Sequence, residues 1–179
     1  MRPIPSREER YAKPVAGRVP AAPAGDDLIE LLFFAYRDFV GDPDRILADY
    51  GFGRAHHRVL HFVDRYPGLT IAELLDILRI TKQSLNRVLK DLIGQGYVDQ
   101  RPGTSDRRQR LLSCTPAGAA LAADLTRVQA RRLARALAAP DAAASPEDFL
   151  MAMIEPEDRP AVRLLMARRA IRPADGEGA

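Results

Sequence analysis

The sequence has a single cysteine, Cys114, in 179 residues. One thiol excludes an internal disulfide framework and a zinc site built from several cysteines. No uninterrupted apolar run approaches the roughly 18 residues that a membrane span needs. The first 20 residues are charged and lack the apolar core of a signal peptide, so we expect a cytoplasmic protein with no membrane partner.

Three further absences argue against an enzyme. The chain has no Gly-rich phosphate loop, no Ser/His/Asp arrangement with a recognisable spacing, and no pair of carboxylates with a histidine to work beside. We therefore expect neither catalytic residues nor a cofactor. Length and composition are typical of one soluble globular domain with a tail or an oligomerisation appendage.

Positive charge is unevenly distributed, although the net charge is only +3. Residues 81–113 carry seven Lys/Arg and three Asp/Glu, and residues 1–25 carry five and two. The rest of the chain carries fifteen against nineteen. This distribution is typical of a protein with a polyanionic partner, and a merely solvated basic face is the alternative. Residues 1–25 also hold five of the fourteen prolines, which predicts a disordered arm.

The stretch over residues 69–113 reads as helix, turn, helix, strand, arginine-rich turn and strand. Thr70 and Glu73 form a capping box for the first helix, and Arg79-Ile80 make the turn. The second helix is predicted over 81–94. Its apolar face consists of Leu85, Val88, Leu89, Leu92 and Ile93. The pattern predicts a winged helix-turn-helix, mainly α with a small β-hairpin wing over 97–113.

The polar face of the second helix favours DNA as the partner. Gln83, Asn86 and Arg87 can make bidentate hydrogen bonds to base edges, and the hairpin arginines suit a phosphate-lined groove. Asp91 alone on this helix opposes that interpretation, and a hairpin charged only for solubility is the alternative. The predicted DNA-binding residues are Thr81, Lys82, Gln83, Ser84, Asn86, Arg87, Lys90, Arg101, Asp106, Arg107, Arg108 and Arg110.

Apolar helices are predicted on both sides of this stretch. The helix over 28–40 is apolar over more than half of its circumference, which indicates a partner besides its own core. Gly41-Asp42-Pro43 is expected to end it and to start a short second helix, with Asp42 as the N-cap. The predicted domains are a disordered arm 1–25, dimerisation helices 26–52, a DNA-binding domain 53–115, dimerisation helices 116–171 and a disordered tail 172–179.

Residues 26–170 resemble the MarR family of bacterial transcription regulators. The resemblance rests on the wing sequence Asp106-Arg107-Arg108, the following LSCTPAG over 112–118, and GRAHHRVLHFV with LLDILRITKQSLNRVL, which look like the PetP-type branch. It implies a homodimer joined by its N- and C-terminal helices. Each recognition helix would enter a major groove, about 34 Å from its partner, on a pseudo-palindromic operator, with a wing in the minor groove.

Two features could sense a signal, since many members of the family respond to a small-molecule effector or an oxidant. His56, His57 and His61 lie on one helix, and the last two have the i, i+4 spacing that can bind a metal or haem. Cys114 could be a redox switch whose pKa is lowered by Arg108 or Arg110. The alternatives are histidines in a ligand pocket or a dimer contact, and a cysteine packed as a small apolar residue.

The sequence therefore predicts a homodimeric, sequence-specific regulator that binds double-stranded DNA and associates with the nucleoid when bound. A winged-helix protein-interaction module without DNA binding is the alternative from another class. A metal- or haem-responsive version that uses the three histidines is a further alternative.

Overall fold

A computed structural model of the protein describes residues 26–103, 108–139 and 145–169. Its seven helices and three strands follow in chain order: α1 Asp26–Ala48, α2 Arg54–Arg65, β1 Leu69–Thr70, α3 Ile71–Leu78, α4 Lys82–Gly94, β2 Val98–Pro102, β3 Arg110–Cys114, α5 Pro116–Leu137, α6 Pro146–Met153 and α7 Arg159–Arg169. Within these ranges no helix is long and apolar enough to cross a membrane. The predicted arm 1–25 and tail 172–179 lie outside the described residues.

The predicted break at Gly41-Asp42-Pro43 is wrong, because α1 runs without interruption through Pro43. Proline inside a helix removes one backbone hydrogen bond and costs about 3 kcal/mol. Here Val40, Pro43 and Leu47, which share one face of the helix, are all buried. Burial of each apolar side chain contributes about 1.5–3 kcal/mol, which is enough to offset the lost hydrogen bond.

The chain divides into two compact units, of which the first comprises residues 40–131. This unit is mainly helical and includes a small antiparallel sheet with the strand order β1-β3-β2. In the wing, Val98 pairs with Cys114 and Arg101 with Leu111, and Leu69 of β1 pairs with Leu112 on the other side of β3. The predicted fold class is confirmed. The two-residue strand β1 was not predicted, and β3 ends at Cys114, one residue after the predicted end of the wing.

The core of this unit lies beneath the two helices of the helix-turn-helix. Four of the five residues predicted on the apolar face of α4 are buried: Leu85, Val88, Leu89 and Leu92. They pack with Val59, Leu60 and Val63 of α2 and with Leu112 of β3. Ile93 was predicted with them but is 36% exposed, because at about 100° per residue it lies at the edge of the apolar face, about 80° from Leu85.

The second unit comprises residues 1–39 and 132–179, of which 26–39, 132–139 and 145–169 are described. Two small clusters form its core, one around Ala35, Ala136 and Met153 and the other around Leu31, Ile154 and Val162. Arg132 is buried and donates to the carbonyl oxygen of Met153 over 2.7 Å and to the Glu155 carboxylate over 2.5 Å. This buried guanidinium ties α5 to the segment that follows α6.

Candidate nucleic-acid interface

The helix-turn-helix is built from two well-capped helices and a strained turn. The Thr70 hydroxyl accepts from the Glu73 amide over 3.2 Å, and the Glu73 carboxylate accepts from the Thr70 amide over 2.8 Å. The hydrogen bond that the Thr70 amide donates to the Glu73 carboxylate, followed by the one that the Thr70 hydroxyl donates to it, lowers the pKa of Glu73. At the turn, Arg79 adopts the left-handed conformation, with φ 50° and ψ 47°. The predicted capping box and turn are thus both present, and the turn uses a residue for which positive φ carries a steric cost.

Helix α4 follows the N-cap residue Thr81 and presents a continuous polar face. The Thr81 hydroxyl accepts from the Ser84 amide over 3.2 Å and donates to the Ser84 hydroxyl over 2.9 Å. Thr81 is therefore the N-cap residue of α4, and its hydroxyl is hydrogen-bonded within the first turn of that helix. All seven predicted contact residues on this element are exposed: Thr81, Lys82, Gln83, Ser84, Asn86, Arg87 and Lys90.

The wing carries exposed arginines beside this helix. Arg101 lies on β2, Arg110 on β3, and Arg108 just before β3, and all three are exposed. The Gly103 amide donates to the Gln109 carbonyl oxygen over 3.0 Å and holds the two strands together near the wing tip. Asp106 and Arg107 lie outside the described residues, so their part in DNA binding stays a prediction.

A close packing joint connects the wing to the start of α5. The Thr115 amide donates to the Tyr97 carbonyl oxygen over 3.1 Å, and its hydroxyl donates to the Gly96 carbonyl oxygen over 2.7 Å. The Thr115 hydroxyl also accepts from the Gly118 amide over 3.1 Å. A Cβ atom built on Gly118 would lie 1.9 Å from the Tyr97 carbonyl oxygen. Only glycine fits at this joint.

The three histidines do not share one environment. The ring of His56 stacks on Phe52, with centroids 4.7 Å apart, and its Nε2 lies 3.4 Å from Asp91 of α4. Burial, and then the neighbouring His61, lower the pKa of His57. His61 packs edge-on against Phe62. Within the described ranges, no three His, Cys, Asp or Glu side chains are grouped so that they could hold a metal.

Cys114 is half-buried at the end of β3, where its sulfur lies 3.9 Å from the Leu60 carbonyl oxygen. Burial, followed by the Asp64 carboxylate, raises the pKa of the Cys114 thiol to about 12. The predicted lowering by Arg108 or Arg110 is therefore wrong. A thiol with a raised pKa is a poor nucleophile, because the thiolate is the reactive form.

Two residues at the interface were missed by sequence reasoning. Gly118 stands among Ala117, Ala119 and Ala120 at the start of a helix, where glycine costs about 1 kcal/mol relative to alanine. That exception among alanines was a usable signal of close packing. Arg58 donates to the Leu78 carbonyl oxygen over 2.9 Å, and nothing in the sequence pattern indicates that contact.

Comparison with known proteins matches the same part of the chain. A model of the MarR family matches residues 50–109. The HTH-type transcriptional regulator PetP of Rhodobacter capsulatus is 49% identical over 133 residues, which cover 73% of this chain and 80% of that protein. The chain belongs to the MarR family. The predicted family and its PetP-type branch are confirmed, and the protein is a MarR-type transcription regulator and not an enzyme.

Two solved structures share the fold. Streptococcus pneumoniae FabT, crystallised in complex with DNA, has a TM-score of 0.58 at 16% identity, covering 63% of this chain and 80% of that one. The reduced form of MarR from E. coli has a TM-score of 0.54 at 23% identity, covering 73% of this chain and 96% of that one. At such low identity these two likenesses concern the fold alone.

Proposed function

We propose that this regulator binds double-stranded DNA sequence-specifically through the polar face of α4. The observation that carries the proposal is that α4 buries one face and exposes a second face with three cations. Lys82, Arg87 and Lys90 are exposed on it together with Gln83 and Asn86. FabT, which shares the fold, was crystallised with DNA, which supports the same kind of partner.

The chemistry of each side chain indicates whether it would contact bases or phosphates. Gln83, Asn86 and Arg87 read base edges in the major groove, where amide and guanidinium groups can pair bidentately with adenine or guanine. Lys82 and Lys90 hold phosphates, which position the protein without reading sequence. The wing, with Arg101, Arg108 and Arg110 and the predicted Arg107, follows the minor groove.

The decisive experiment is selection from a randomised pool of duplexes of about 30 base pairs, long enough for two half-sites. We expect wild-type protein to enrich a pseudo-palindromic duplex and to bind it far more tightly than the unselected pool. Affinity should fall steeply between about 50 and about 200 mM salt, because cations of α4 and the wing replace condensed counterions. Failure to enrich any duplex would contradict the proposal and favour a protein-interaction module.

Arg87→Ala tests the assignment of base contacts. We expect it to weaken binding to the selected duplex by roughly 1–3 kcal/mol while binding to the unselected pool changes little. Arg131→Ala removes an equal charge from α5 at an exposed position and serves as the matched control. An equal loss on both duplexes would show that Arg87 contacts phosphate instead of bases.

We also propose that the protein is a homodimer, formed through an apolar stripe on α1. Four large side chains recur at helical spacing on its exposed side: Ile29, Leu32, Phe33 and Tyr36. Phe33 is 70% exposed, and Leu137 and Leu164 of the same unit are exposed as well. A contiguous apolar stripe of this size is typical of an interface, and aromatic side chains supply about 150–250 Å² each.

Phe33→Glu tests the dimer. A buried charge at the centre of the stripe should yield a monomer, as judged by analytical ultracentrifugation, and should abolish tight binding to a two-half-site duplex. Tyr66→Glu places the same charge on an exposed aromatic residue of the other unit and should leave the mass unchanged. A Phe33→Glu protein that stays dimeric would rule out the α1 stripe as the interface.

A cytoplasmic, nucleoid-bound location follows from this proposal. Control by a small-molecule effector stays a prediction, as does the metal- or haem-responsive alternative.

A further inference from the structure

Side chains of helix α2 form one hydrogen bond to the last residue of α3, just before the turn into α4, and approach one residue in the last turn of α4. Before the turn, the Arg58 guanidinium donates to the Leu78 carbonyl oxygen over 2.9 Å. Near the end of α4, Nε2 of His56 lies 3.4 Å from a carboxylate oxygen of Asp91. The two contacts bracket the exposed face that carries Arg87. We call them the Arg58 tether and the His56 tether.

The Arg58 tether acts on the turn that leads into α4. Helix α3 ends at Leu78, and the Arg79 amide closes its last turn on Leu75. The final carbonyl groups of a helix have no partner within the helix, and a cation near them is favourable. Arg58 supplies that partner to Leu78, one residue before the strained Arg79. Fixing this carbonyl fixes the point from which the chain enters α4.

In the His56 tether, a backbone hydrogen bond determines which ring nitrogen of His56 is the donor. The Gly53 amide donates to Nδ1 of His56 over 3.1 Å, so Nδ1 acts as an acceptor. The proton of the neutral ring therefore lies on Nε2, which faces Asp91. Stacking on Phe52 holds the ring plane, at an interplanar angle of 17°. The Asp91 side chain is 44% exposed and lies one helical turn after Arg87.

We propose that Arg58 and His56 are positioning residues that set the orientation of α4 for base readout, an inference that rests on the proposed DNA binding. The apolar face of α4 packs by area and tolerates small rotations, whereas bidentate base contacts need placement to within about 0.5 Å. The His56 tether also draws the single carboxylate of α4 toward α2, which limits its approach to DNA phosphates. Neither residue needs to touch DNA for this role.

The readout is the ratio of affinities for the selected duplex and for the unselected pool. A positioning residue changes this ratio, whereas a simple change of charge moves both affinities together. We expect Arg58→Met, His56→Phe and Asp91→Ala each to lower the ratio about two- to tenfold, the range that one hydrogen bond supports. His56→Phe keeps the stack on Phe52. Arg65→Met, at an exposed position on the same helix, removes the same charge as Arg58→Met and should preserve the ratio.

A double-mutant cycle isolates the His56 tether. If the two residues act through one bond, the His56→Phe/Asp91→Ala protein should lose no more of the ratio than the single variant with the larger loss. Additive losses would overturn the tether. An unchanged ratio in all three single variants would overturn the positioning role, and an equal loss on both duplexes by Arg58→Met would make Arg58 a phosphate contact instead.

Amide hydrogen exchange of the DNA-free protein separates this inference from the proposed function. The tethers predict faster exchange within Lys82–Gly94 in the variants and unchanged exchange within Pro116–Leu137. Exchange that is unchanged in α4 would overturn the tethers even if DNA binding holds. A wild-type protein that prefers no duplex would overturn the DNA-binding proposal, and the positioning role with it, even if the exchange of α4 responds.

Discussion

Gly118→Ala is the substitution for which the structure predicts a large effect most directly. The added methyl carbon would lie 1.9 Å from the Tyr97 carbonyl oxygen and 2.9 Å from its carbonyl carbon. Ordinary contacts between nonbonded carbons are about 3.5–4.0 Å. The obstacle is backbone, which cannot rotate away as a side chain can. The start of β2 and the start of α5 must therefore separate by more than an ångström.

The cost can be assembled from three contributions. Overpacking costs about 1–3 kcal/mol, and the upper end applies because backbone must move. Separation also weakens the hydrogen bond from the Thr115 amide to the Tyr97 carbonyl oxygen, a loss of about 1 kcal/mol. Replacing glycine by alanine in a helix returns up to about 1 kcal/mol. We expect a net destabilisation of about 3 kcal/mol, or roughly 6–12 °C in Tm for a chain of this size.

Thermal and urea unfolding at one fixed protein concentration measure the effect, since the stability of the proposed dimer would depend on concentration. Gly41→Ala is the matched control. It lies within α1, nothing lies within 4 Å of the position that its added methyl group would take, and we expect it to raise stability by about 0.5–1 kcal/mol. A Gly118→Ala protein as stable as wild type would refute the close-packing argument.

Three further predictions concern stability. Arg79→Gly should raise the free energy of unfolding in urea by up to about 1 kcal/mol, because glycine adopts positive φ without the steric cost; a loss of stability would show that the arginine side chain stabilises the turn. Arg132→Met should lower it by about 3 kcal/mol, because it leaves the half-buried Glu155 carboxylate without its closest cation, whereas a neutral outcome would mean that water or Arg135 compensates. Because burial and His61 lower the pKa of His57, the unfolded chain takes up its proton first, and stability should decline as pH falls below the ordinary value of 6.5. His57→Gln should flatten that decline in urea titrations from about pH 7.5 to about pH 5.5, and an equally steep decline would contradict the assignment.

Much of the fold could be predicted because its signals are local. Caps, turns and helical periodicity depend on residues within one or two turns of each other, and the capping box at Thr70 and the face of α4 follow from them. The error at Pro43 arose from the same local rules. They include the cost of a proline but not the burial of Val40 and Leu47 on either side of it. Strand β1 is two residues long, too short to have any periodicity.

The interface could be predicted only as far as its exposed face. Which side chains of α4 meet solvent follows from its periodicity, but what holds that face follows from contacts 20 and 35 residues away in the chain. The histidines illustrate the difference. The sequence prediction grouped His56, His57 and His61 as a possible sensor because they lie on one helix. Adjacent residues of a helix point about 100° apart, however, so His56 and His57 face different surroundings. The ring of His56 lies beside Asp91 of α4, whereas the His57 side chain is partly buried and its pKa is lowered mainly by that burial. A search for the determinants of DNA specificity in this chain should therefore include α2 as well as α4.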